Sequence, residues 1–133
     1  MALEMFPKRK CNNHPPTQWL VNVNRKCGMF FLNNLIADDL KLELGNKGMI
    51  AYDNETKEWL VTFTDSLPGF RLRLLSNKAY KARLCFAGAK AAHSILNDVN
   101  AEKAATFLIS KKPRVIDGIN WYRILSKTPT RKI

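Results

Sequence analysis

The 133-residue chain contains no apolar run near the roughly 18–20 residues that a membrane helix needs. Its opening stretch, MALEMFPKRKCNNHPPTQ, lacks the apolar centre of a secretory leader. Cysteine is scarce. Cys11, Cys27 and Cys85 are widely spaced, odd in number and form no CxxC pair, which excludes a disulfide framework and fits a reducing compartment. The expected location is therefore the cytoplasm, with no membrane contact. His14 and His93 are the only histidines and lie far apart, so a zinc centre lacks a ligand set. There is no nucleotide-binding glycine loop, Ser-His-Asp signature or carboxylate pair at a convincing spacing. Cys27 sits beside cations that would favour its thiolate, but no base accompanies it. The expectation is a protein that is not an enzyme, with no catalytic residues, no metal and no cofactor.

Acidic residues are also few. Eleven Asp and Glu stand against twenty-two Lys and Arg, a formal net charge of +11. Cations gathered on a small chain attract the phosphate backbone and release its condensed counterions, so nucleic acid is the first partner class to consider. An acidic protein partner is the competing class. Apolar residues make up 46% of the chain, enough to build a core in one domain or two very small ones.

Residues 1–18 show no apolar period. They carry Lys8, Arg9 and Lys10 followed by Pro15 and Pro16, and read as a basic flexible arm. Order should begin near Trp19. Leu20, Val21 and Val23 form a strand, Asn24 to Gly28 a turn with Gly28 suited to positive φ, and Met29 to Leu32 a second strand. Asn33 and Asn34 are helix caps, and Ile36, Ala37, Leu40 and Leu44 recur at helical spacing, predicting a helix from Asn34 to Leu44 stopped by Gly45. Met49 to Tyr52, a turn at Asp53 to Thr56, and Trp59, Val61 and Phe63 then read as a hairpin.

After Pro68-Gly69 the events recur. Phe70, Leu72 and Leu74 alternate with Arg71 and Arg73, Ser76-Asn77-Lys78 is a turn, and Arg83 to Phe86 is a strand. Ala91, Ala92, Ile95 and Val99 lie at helical spacing, Thr106 to Ile109 is a strand, and Ile119 to Leu125 returns. A shift of 55 carries Phe31 onto Phe86, Ile36 onto Ala91, Leu40 onto Ile95 and Tyr52 onto Phe107. Seven more residues in the second hairpin loop, around Lys111 to Arg114, carry Trp59 onto Trp121. The pattern predicts one supersecondary unit used twice.

The segment VNVNRKCGMFFLNNLIADDLKLELGNKGMIAYDNETKEWLVTF resembles the AbrB/SpoVT-like swapped-hairpin DNA-binding domain. That family reads as strand, Lys-Gly turn, strand, helix ending in Leu-Gly, charged turn and two strands. Here Lys26-Cys27-Gly28 is the turn and Leu44-Gly45 the helix end. Cys27 separates Lys from Gly, Asn34 replaces the helix-leading Pro, and the second half keeps the order without the turn Gly or the Leu-Gly stop. The resemblance implies an α+β, mainly β fold. Two β-β-α-β-β units would share one swapped-hairpin-like barrel core as an intrachain pseudo-dimer. They would span 19–66 and 67–126, between the arm at 1–18 and a basic C-terminal tail at 127–133.

It also implies double-stranded DNA as partner, in a transcriptional regulator or antitoxin-type repressor that is a monomeric pseudo-dimer or a homodimer. The expected contacts are Arg25 and Lys26 from the first half, and Arg71, Arg73, Lys78, Lys81 and Arg83 from the second. Lys8, Arg9 and Lys10 would add contacts from the arm. Two other readings compete: a phage- or mobile-element-type adaptor or inhibitor gripping an acidic protein, and a single-strand binder that stacks bases on aromatics. Trp59 and Trp121 are the aromatics in question, although both keep step with apolar neighbours and so read as core.

Overall fold

A computed structural model describes residues 18–77 and 80–133, with backbone alone at 74–77 and 80–83. Its elements are β1 (Trp19–Asn24), β2 (Met29–Leu32), α1 (Asn34–Asp39), β3 (Lys47–Asp53) and β4 (Glu58–Phe63). They continue with β5 (Phe70–Arg71), β6 (Arg73–Asn77), β7 (Tyr80–Ala87), α2 (Ala89–Asp98) and β8 (Ala104–Ile109). The chain finishes with β9 (Arg114–Ile116), β10 (Ile119–Ile124) and β11 (Arg131–Lys132). The fold is mainly β. Neither helix is long and apolar enough to cross a membrane.

All strand pairs are antiparallel, in the order β5-β3-β4-β10-β8-β1-β2-β7-β6, with β9 added to β10 and β11 to β8. β5 and β6 stand at opposite ends of that order, yet only Leu72 separates them in the chain. Leu72 donates its N–H to Asn46 O at 2.7 Å and accepts from Gly45 N at 3.3 Å. The ribbon thus bends from one end of the sheet to the other and leaves a nearly closed barrel, which removes most of the unpaired edge.

The alternation in β1 turns Trp19, Val21 and Val23 inward. They join Phe30 and Leu32 from β2, Phe86 from β7, Phe107 and Ile109 from β8, and Ile36, Ala92, Ile95 and Leu96 from the helices in one buried cluster. Phe30 and Phe86 stack with centroids 5.0 Å apart and planes 7° from parallel, which ties β2 to β7 at the centre. Each ring contributes about 1.5–3 kcal/mol by leaving water.

Several sequence expectations need correction. Helix α1 ends at Asp39, not Leu44. Lys41 takes φ 52°, and Leu42 N bonds back to Ala37 O at 2.9 Å, which closes the helix one turn early. Leu44 is consequently exposed, and Gly45 helps anchor the Leu72 crossing instead of stopping the helix. Phe70 is exposed although Leu72 is buried; it lies on β5, a two-residue strand at the end of the strand order that pairs with β3 through Lys47 and Gly48. Ser76 and Asn77 extend β6; Lys78, the third residue expected in a turn there, lies outside the described residues. The constant shift of 55 does not hold for burial: Phe31 is half-buried where Phe86 is buried, and Tyr52 is 38% exposed where Phe107 is 0%.

Two additions had no counterpart in the sequence reading. Asp117 and Gly118 both take positive φ, 52° and 79°, and turn β9 onto β10. The C-terminal basic stretch is partly strand: β11 pairs with Thr106 and Ala105 of β8. The arm expected at 1–18 lies outside the described residues except for Gln18, which is exposed.

Candidate nucleic-acid interface

The β1–β2 turn is built by local chemistry. Asn24 Oδ1 accepts the Cys27 N–H at 3.1 Å, and Gly28 follows at φ 62°. Gly28 O then accepts the Gly88 N–H at 2.8 Å, just before α2. This seats the turn against the start of the second helix. Lys26 and Cys27 are left exposed at its tip.

Arg25, half-buried, is engaged within the fold. Its Nε donates to Glu102 O at 2.8 Å, and its Nη2 donates to Asn97 Oδ1 at 2.8 Å and Ala101 O at 2.9 Å. Its backbone N–H reaches Lys103 O at 2.8 Å, and His93 Nε2 lies 3.0 Å from its carbonyl oxygen. The guanidinium fork therefore clasps the end of α2 and the loop after it. Arg25 is a positioning residue for the turn that presents Lys26. Arg25→Ala should cost about 1–3 kcal/mol in chemical denaturation, because charge-assisted hydrogen bonds to three oxygens disappear. Arg25→Lys should recover little of that loss, since an ammonium cannot reproduce the fork.

The other expected contacts are distributed unevenly. Arg71 and Arg73 flank buried Leu72 on the crossing ribbon, and both are exposed. Arg71 pairs across from Lys47 and Arg73 across from Cys85. Lys26, Arg71 and Arg73 have no ion pair among the described residues, where the ion pairs are Arg114 with Asp53 and Arg123 with Glu58. Lys81 and Arg83 lie on β7, with side chains outside the described residues; Lys78, Lys8, Arg9 and Lys10 lie wholly outside them.

Several of the acids are committed internally. Asp39 accepts the Trp19 indole N–H and Asp98 the Trp59 indole N–H, each at 2.8 Å. Asp53 accepts N–H groups of Glu55 and Thr56, and Glu58 holds Arg123. The Glu55 N–H, helped by Arg114, keeps the Asp53 carboxyl below its usual range. Trp19, Trp59 and Trp121 are 5%, 7% and 8% exposed, so none offers a stacking platform.

Nothing in the sequence spacing links Lys26 to Lys103, or either to Arg131 and Lys132. The sheet does so, through Arg25 N to Lys103 O and through β11 on β8. No protein-family model, curated protein or solved structure matches the chain.

Proposed function

We propose that the chain is a small double-stranded-DNA-binding protein, a transcriptional regulator or antitoxin-type repressor, built as an intrachain pseudo-dimer of two β-β-α-β-β halves. One observation carries this reading. With β5 and β6 taken as one bent strand, exchange of β1, β2, β3 and β4 for β5–β6, β7, β8 and β10 leaves the circular strand order unchanged. The first strand of each half pairs with the third strand of the other, β1 with β8 and β5 with β3. That interlocking is what two exchanged hairpins require. Two halves related in this way carry basic edges suited to two half-sites on a duplex. The edges differ, with a turn lysine in one half and ribbon arginines in the other, so an imperfect palindrome is the fitting target.

The test is titration with duplex DNA at several salt concentrations. Binding should weaken steeply as salt rises, and Lys26→Ala/Arg71→Ala/Arg73→Ala should flatten the log–log slope by up to about 3, near 0.9 for each phosphate no longer neutralised. Absence of duplex binding at low salt, with tight binding to an acidic polypeptide, would favour the adaptor reading. The net charge of +11 supports both classes, whereas the strand exchange supports the first.

A further inference from the structure

We infer that the edge bearing Lys26 extends into a phosphate-binding group with Lys103, Arg131 and Lys132 at one end of β8. It deepens the DNA-binding reading and rests on it. These cations come from three distant segments of the chain, and backbone hydrogen bonds hold the segments side by side. Arg25 N donates to Lys103 O at 2.8 Å, so the turn bearing Lys26 lies directly against the segment bearing Lys103. On the other side, Ile133 O accepts both Lys103 N at 2.8 Å and Ala104 N at 3.2 Å, and Ile133 N returns a bond to Ala104 O at 2.8 Å. Arg131 and Lys132 then continue along β8 opposite Thr106 and Ala105. Neighbouring strands run about 4.8 Å apart, so the four side chains spring from backbone only a few strand widths across.

All four are exposed, and none is in an ion pair among the described residues. Glu102 and the carboxylate of Ile133, which accepts the Lys103 N–H, are the acidic neighbours. The Glu102 carbonyl oxygen is held by Arg25, but the exposed carboxylates offset only part of the charge. A backbone-fixed group of like charges repels itself, and a polyanion relieves that repulsion. Three of the four groups are lysine ammoniums on a strand end and a turn, and the Arg131 guanidinium stands on a two-residue strand where no side-chain bond among the described residues aims its fork at a base edge. That chemistry suits phosphates and carries no sequence preference.

The experiment compares wild type with Lys103→Gln/Lys132→Gln and with Lys103→Arg/Lys132→Arg, using a selected duplex and an unrelated one. The Gln variant should bind both duplexes more weakly by a similar factor, with the salt slope shallower by about 2 and the thermal midpoint unchanged. The Arg variant should restore the slope. Unchanged affinity and slope in a folded Gln variant, beside a wild type that binds, would overturn this edge and leave the DNA reading standing. A wild type that ignores duplex at low salt but binds polyglutamate would remove the DNA reading and the edge with it.

Discussion

Phe86→Ala should cost about 3–5 kcal/mol and bring both halves of the barrel down in a single transition. The ring is fully buried on β7, in the second half of the chain, yet its named partners belong to the first. It stacks on Phe30 of β2 and meets Phe63 of β4 edge-on at 6.3 Å. It also lies over Gly48 of β3, where an added Cβ would sit 3.1 Å from the ring. Truncation withdraws the ring from three strands at once and leaves a cavity that strands hydrogen-bonded on both sides cannot readily close. Against a domain stability of about 5–15 kcal/mol, that is a large share. Urea unfolding followed by circular dichroism and by tryptophan fluorescence should give coincident curves, because Trp19 and Trp59 report on the first half and Trp121 on the second. Two separated transitions, or a loss under about 1 kcal/mol, would mean that the halves have independent cores. Phe86→Leu, which keeps most of the apolar volume, should lose less.

Much of this wall was legible in the sequence. The alternation of Trp19, Val21 and Val23, the turn at Gly28 and the strand from Met29 to Leu32 all lie where local pattern puts them. Each depends on neighbours within a few residues, where turn chemistry and period-two burial decide the outcome. The order of elements in the second half was legible for the same reason. What failed was whatever a distant partner decides. Helical spacing carried α1 on to Leu44, but the chain beyond Leu40 is drawn off to meet Leu72. The hydrophobic pattern counted Phe70 as core, although the strand crossing begins beside it. A constant shift aligned Tyr52 with Phe107, but hairpins can change length and register while the order of strands survives.

The candidate interface divides along the same line. Charge and alternation singled out Arg71 and Arg73, and both are exposed on the crossing ribbon. The same logic grouped Arg25 with Lys26, although one residue builds the turn and the other is presented by it. No local signal distinguishes an arginine facing phosphate from one facing carbonyl oxygens of a loop more than seventy residues away. Lys103 and Lys132 escaped notice because β11, only two residues long, pairs with β8 through a tertiary contact that no local pattern announces.

Gly28→Ala should cost about 2–5 kcal/mol and weaken duplex binding beyond what the stability loss explains. Two separate effects add. At φ 62° an alanine pays about 1–2 kcal/mol for the left-handed conformation. Its new Cβ would also lie 2.7 Å from both Cα and Cβ of Ala89, a clash that only a backbone shift can relieve, at about 1–3 kcal/mol. The shift must move the turn away from α2, stretching the 2.8 Å bond from Gly88 N to Gly28 O and tilting Lys26 with it. The chain supplies its own control. Gly118 has φ 79°, and nothing lies within 4 Å of the Cβ it would gain, so Gly118→Ala bears the conformational cost alone. Its denaturation midpoint should fall by less than that of Gly28→Ala, and its affinity for duplex should match wild type at temperatures where both are folded. Equal stability losses in the two variants would show that the turn does not bear on α2. A folded Gly28→Ala protein with wild-type affinity and salt slope would show that the position of this turn is immaterial to binding, and Lys26 would leave the proposed interface.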